Sequence, residues 1–301
     1  MKLQVVNPLD AQGKERNVSA EQAILLPSIM GGSLWQPGSE EGTSVPSDLL
    51  QRAQGLASAT GKVVFALQRL SRQDVDDRRR ILGRPVPFSP AEYTDLVGRY
   101  GQAVTEAMLN AGTKRLSVVA ASAGGLVALK LLSQRSLPAG SVESLHVYDS
   151  TAMRAAAAPV AFARWGWDMV AREARRPEAQ RNHSPLPYEV ESETGPLMDM
   201  WLHRRVWTTD ESYRIAEELA CDPASPNTHI YVPKRNFTIG SVKRTNRSVW
   251  RLRAIAGANG NQGFAADIVP TLHSLTDDHE ALGHMHNGTL ADWAQWIVTP
   301  H

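Results

Sequence analysis

Ser122 lies among unusually small neighbours: Ala120, Ala121, Ala123, Gly124 and Gly125. A serine hydroxyl is a weak nucleophile unless an imidazole takes its proton and a carboxylate orients that imidazole. Both residue types are available. His273, His279, His284 and His286 cluster late in the chain, and Asp149 closes an apolar run that follows the serine. The late cluster also admits a different chemistry. Asp277, Asp278, His279, His284 and His286 combine carboxylates and imidazoles as metal ligands do, and His-x-His at 284 and 286 would put both rings on one face of a strand. Against a metal, zinc sites draw ligands from more than one segment, and no second such cluster is evident in the sequence.

The elements that must hold Ser122 can be read on either side of it. Residues 116–121 are apolar and β-branched, the pattern of a short buried strand, and residues 126–132 form an apolar helical run. A strand, a sharp turn and a helix present a serine Oγ above a sheet. The N–H of Ala123 then falls at the helix N-terminus, where developing negative charge is favoured. The plain alternative is an ordinary strand-to-helix turn with a serine cap. No G-x-G-x-x-G is present, which argues against a dinucleotide fingerprint.

Further strands are expected at residues 2–6, 23–26, 63–67, 145–149, 229–233 and 268–275, with 16–19 returning as a hairpin partner of the first. Residues 249–256 fit strand or helix equally well. Helices are expected over 48–57, where Asp48 suits the first turn, and from 90 onward, with Ser89 as N-cap and Pro90 at the first position. Val97, Tyr100, Val104, Met108 and Leu109 would form the apolar stripe of that second helix, and Gly112 would close it. Between 68 and 90 the chain is charged, with Asp74, Asp76, Asp77, Arg78, Arg79 and Arg80, as in a solvated loop or short helix. Strands alternating with helices from 23 to 149 predict βαβ units and a mostly parallel twisted sheet, whose strands gather ligands at their carboxyl ends. From 152 to 220 the pattern becomes helical and rich in Trp and Met, and a final amphipathic helix is expected over 290–297.

Residues 120–124 resemble the G-x-S-x-G nucleophile elbow of the α/β-hydrolases, with Ala120 in place of the first glycine and Ser122 and Gly124 matching. Residues 26–33, Leu-Pro-Ser-Ile-Met-Gly-Gly-Ser, resemble the P-G-I-M-G-S loop of lipase-like and lecithin-acyltransferase-like members, with Ser28 in place of a glycine. The resemblance implies an α/β fold: a mostly parallel twisted sheet flanked by helices, with an inserted helical lid. The core would comprise residues 1–151 and 227–301, and the lid residues 152–226. It implies Ser122 as nucleophile and the N–H groups of Ile29 and Ala123 as the oxyanion hole. It also implies a chain order of serine, acid and then histidine. His279, in a Thr-Asp-Asp-His-Glu-Ala-Leu stretch like the family's histidine loop, ranks first as base, and His284 second. Asp149 is the preferred acid, at a position some lipases use, while Asp267 or an asparagine in that role stays open. Met30, Trp165 and Trp201 would meet an apolar acyl or aromatic substrate.

The reaction so implied is cleavage of an ester, thioester or amide through an acyl-enzyme, with no cofactor and no metal. The other readings are an acyltransferase on the same scaffold, a catalytically inactive binding protein, and a metal-dependent hydrolase using the late histidines. The expected partner is a small-molecule or lipid-like ester. With 32 basic against 31 acidic residues, overall charge gives no case for nucleic acid or an anionic membrane surface. No apolar stretch is long enough for stable membrane insertion. Cys221 is the sole cysteine, and no signal-like N-terminal pattern is present, so the reducing cytoplasm is the expected compartment.

Overall fold

A computed structural model describes residues 2–27, 35–37, 44–46, 48–68, 77, 80–83, 86–121, 123–148, 202–203, 205–206, 211–233 and 242–269. The strands are β1 (Lys2–Val6), β2 (Gln22–Pro27), β3 (Trp35–Pro37), β4 (Ser44–Pro46), β5 (Val63–Gln68), β6 (Arg115–Ala121), β7 (Val142–Tyr148), β8 (Asn227–Pro233) and β9 (Phe264–Val269). The helices are α1 (Asp48–Thr60), α2 (Pro90–Ala111), α3 (Ala123–Ser133), α4 (Glu211–Cys221) and α5 (Val242–Ala258). Seven strands form one sheet in the order β1-β5-β2-β6-β7-β8-β9, while β3 and β4 pair separately. Only β1 runs against the others in the large sheet. The α/β reading from strand and helix alternation therefore holds.

Alternation along the strands divides the core between the two faces. Ile24, Leu26, Val64, Ala66 and Val119 pack with Leu49, Ala53 and Leu56 of α1. Leu25, Phe65, Val118, Ala120, Leu145 and Ile230 pack on the other face with side chains of α2, α3, α4 and α5. β5 is buried at every position, so it needs a neighbour on each side as well as cover on both faces.

β1 supplies one of those neighbours, and here the hairpin expectation fails. Residues 16–19 do not return along β1; β1 pairs antiparallel with β5, Val5 opposite Phe65. The Asp10 carboxylate accepts from the N–H groups of Gln12 and Lys14, which closes a small turn, and pairing beyond it amounts to a Leu9–Glu15 bridge. The open edge of an apolar strand outcompetes a polar return segment.

α2 begins as the sequence indicates. Ser89 Oγ accepts from the Glu92 N–H at 3.2 Å, and the Glu92 carboxylate accepts from the Ser89 N–H at 2.7 Å. Gly112 ends it with φ of 70°. Leu109 is a correction: it is 76% exposed. At ~100° per residue it falls roughly 120° from the stripe of Val97, Val104 and Met108. Residues 249–256 belong to α5, which resolves that ambiguity. The last described strand begins at Phe264 rather than 268, because Ala265, Ala266 and Asp267 give little apolar signal.

Candidate active site

β2, β5, β6, β7, β8 and β9 are parallel, so their carboxyl ends lie along one side of the sheet. β6 ends at Ala121 and α3 begins at Ala123, which leaves a single residue, Ser122, between strand and helix. The strand and the helix expected on either side of the serine are thus present. Ala123 is the first residue of α3, and first-turn N–H groups have no acceptor within their own helix. Gly124 and Gly125 are both buried.

Two neighbouring strands flank that exit. β2 pairs with β6, and Ile29 follows the end of β2 by two residues. β7 pairs with β6 on the other side, with Tyr148 in register with Ala121. Asp149 is the next residue of the chain after β7, as Ser122 is after β6. Ser122, Ile29, Met30, Asp149, Trp165, Trp201, His279 and His284, as well as His273 and His286, lie outside the described residues.

Asp267, the carboxylate left open as an acid, does have described surroundings. Its Oδ2 lies 2.6 Å from His229 Nε2, and its Oδ1 accepts from Arg253 Nη2. Arg253 Nε also donates to the Ala266 carbonyl at 2.6 Å. The His229 ring stacks on Tyr231 with centroids 3.9 Å apart. Asp267 therefore ties β8, β9 and α5 together, two positions before β9 ends. Nothing in the sequence pattern signalled this set, because its members are far apart along the chain.

A second polar set packs against α3. Lys130 of α3 is 2% exposed. Its ammonium lies 2.7 Å from Glu211 Oε1 of α4 and 3.3 Å from Thr94 Oγ1 of α2, and 5.3 Å from the centre of the Tyr93 ring. Next to it, the buried His203 ring meets Phe88 and Tyr93, each at 5.3 Å, and Phe88 N–H donates to the Leu202 carbonyl. The sequence signal for this cluster was a lone lysine within the apolar run 126–132. Among the described residues no group of three or more His, Cys, Asp or Glu could hold a metal ion. No described helix is long and apolar enough to cross a membrane.

No protein-family model and no curated protein matches the sequence. Solved structures do. The enol-lactonase from Burkholderia xenovorans matches at a TM-score of 0.50 and 11% identity, over 99% of this chain and 96% of that one. A hydrolase from Pseudomonas aeruginosa matches at 0.48 and 14% identity, over 96% of this chain and 92% of that one. A monoacylglycerol lipase from Paleococcus ferrophilus matches at 0.47 and 11% identity, over 98% of both chains. At such identities the likeness speaks for the fold alone. Sheet order, parallel strands and flanking helices give this chain the α/β-hydrolase fold.

Proposed function

We propose that the chain is a serine hydrolase of the α/β-hydrolase type, acting on an ester, thioester or amide with an apolar acyl or aromatic part. The observation that carries this reading is the single residue, Ser122, left between the end of β6 and the start of α3. In it, Ser122 Oγ attacks the carbonyl while His279 takes the hydroxyl proton, with His284 as the second choice for base. Asp149 orients the imidazole, and the N–H groups of Ile29 and Ala123 hold the oxyanion. The imidazolium gives its proton to the departing alcohol, thiol or amine, and water then cleaves the acyl-serine by the same route. The enol-lactonase that shares this fold supports a hydrolytic reading by its name.

The proposed cap covers residues 152–226. Its outer part is best assigned to 152–201, because Leu202, Val206, Tyr213, Ile215, Ala216 and Ala220 belong to the main apolar cluster. Met30, Trp165 and Trp201 are the proposed substrate contacts.

A fluorophosphonate probe tests the proposal. The wild-type protein should label, and Ser122→Ala should not. His279→Ala should slow labelling and ester hydrolysis by several orders of magnitude, while His284→Ala should do so only if the second choice of base is the right one. Activity that survives Ser122→Ala and disappears with a chelator would replace this reading with the metal-dependent one. Acyl transfer to an added alcohol in preference to water would favour an acyltransferase.

A further inference from the structure

Asp267 lies two residues before the end of β9, on the side of the sheet where Ser122 follows β6. A triad acid turns an oxygen towards the catalytic imidazole. Both oxygens of Asp267 are engaged elsewhere, Oδ2 with His229 Nε2 at 2.6 Å and Oδ1 with Arg253. In the β8–β9 register Asp267 stands opposite Tyr231, and it reaches back along β8 to His229, away from the carboxyl ends of the strands. Its partners are firmly held. The His229 side chain is 7% exposed and its ring stacks on Tyr231. Arg253 belongs to α5, whose Val249, Leu252 and Ala256 are buried in the main apolar cluster, and its Nε also donates to the Ala266 carbonyl at 2.6 Å. Among the described residues β9 has a neighbouring strand on one side only, and the end of such an edge strand opens locally unless something ties it down.

We propose that Asp267 is a positioning residue: by clamping β9 to His229 of β8 and Arg253 of α5, it fixes the direction in which the chain leaves the sheet towards the general base. This rests on the serine reading but not on which histidine is the base. His273, His279, His284 and His286 all follow Val269, so each is carried by the same exit from β9. A misplacement of about 1 Å at a reacting group costs on the order of a hundredfold in rate, so a small change in that exit is felt in catalysis. The side chains of Asp267 and Arg253 are 42% and 55% exposed, and pairs so open shift an equilibrium by no more than about fivefold. The clamp therefore biases the exit of β9 rather than holding the fold together.

Steady-state hydrolysis of a water-soluble ester by the full chain, with fluorophosphonate labelling and amide exchange, tests this. Asp267→Ala should lower kcat about fivefold at unchanged KM and leave the pH midpoint of kcat/KM in place. It should also speed exchange at the Ile268 and Val269 amides without changing far-UV circular dichroism. Asp267→Asn should keep kcat within about twofold of wild type, because a side-chain amide can accept from Arg253 and donate to His229. A triad acid replaced by asparagine loses about 10⁴-fold. Such a loss in Asp267→Asn would make Asp267 the orienting acid and overturn the proposal, as would wild-type kcat or wild-type exchange in Asp267→Ala. A wild-type chain that neither labels nor hydrolyses the ester would sink the serine reading itself, whereas labelling together with an unaffected Asp267→Ala sinks the positioning role alone.

Discussion

Lys130 sits where an aliphatic side chain would be expected, in a helix otherwise buried on nearly every side. Its charge is tolerable there because Glu211, Thr94 and the face of Tyr93 replace the water it has lost. Removing one partner leaves the other charge stranded. Lys130→Met should lower the unfolding free energy by about 3 kcal/mol, the low end for buried pairs, because the Glu211 side chain keeps 26% of its exposure. Lys130→Met with Glu211→Leu should recover most of that loss, and urea unfolding of the wild type and both variants checks it. Equal losses in the single and double variants would refute the account.

Tyr213 makes a prediction about pH. Burial foremost, and then the Glu217 carboxylate, push its hydroxyl up to about 12, against a smaller opposing pull from Arg251. The folded chain therefore keeps a proton that the unfolded chain releases between pH 10 and about 12. Below pH 10 the contribution of Tyr213 to stability is complete, and it is lost as pH rises through that window. Unfolding midpoints measured across it should fall with pH in the wild type and fall less in Tyr213→Phe.

Within an element, what can be read from sequence is what is local. The Ser89-Pro90-Ala91-Glu92 start of α2 announces its own capping box, and Gly112 its end, because each partner lies within one turn. Gly101, in the same helix, gives no such notice. A Cβ there would come within 2.5 Å of Ser136, contributed by a turn after α3, whereas one on Gly98 would meet nothing within 4 Å. Gly101→Ala should thus destabilise by about 1–3 kcal/mol through overpacking. Gly98→Ala should stabilise by up to about 1 kcal/mol, the ordinary helix preference for alanine. Thermal unfolding of the pair measures the contrast, and a similar sign for both would show that the α2 contact with Ser136 yields freely. The start of β9 was illegible for a related reason: Arg253, Ala266, Asp267 and His229 form its setting through contacts that cross from α5 to β8.

At the scale of the molecule, strand–helix alternation made the parallel sheet legible, and the apolar runs 116–121 and 126–132 made β6 and α3 legible on either side of Ser122. The β1–β5 pairing was not, since the partner of a strand is decided by which edge in the assembled sheet is open and apolar. Nor does the sequence choose among four histidines, because distance along a loop carries no periodicity. The assembled sheet in turn grades its own stability. β2, β5 and β6 lie between other strands and pack on both faces, while β9 has a neighbour on one side only among the described residues and leaves Ile268 36% exposed. Amides of β2, β5 and β6 should exchange with solvent only through global unfolding, so that their opening free energies converge on the value from urea denaturation. Those of β9 should open locally at lower cost. Arg253→Ala removes the donor to both Ala266 and Asp267, and should speed exchange in β9 and α5 while leaving β6 relative to global stability unchanged. Exchange in β9 as slow as in β6, in the wild type or in Arg253→Ala, would mean that this edge is held by contacts other than the Arg253–Asp267–His229 set.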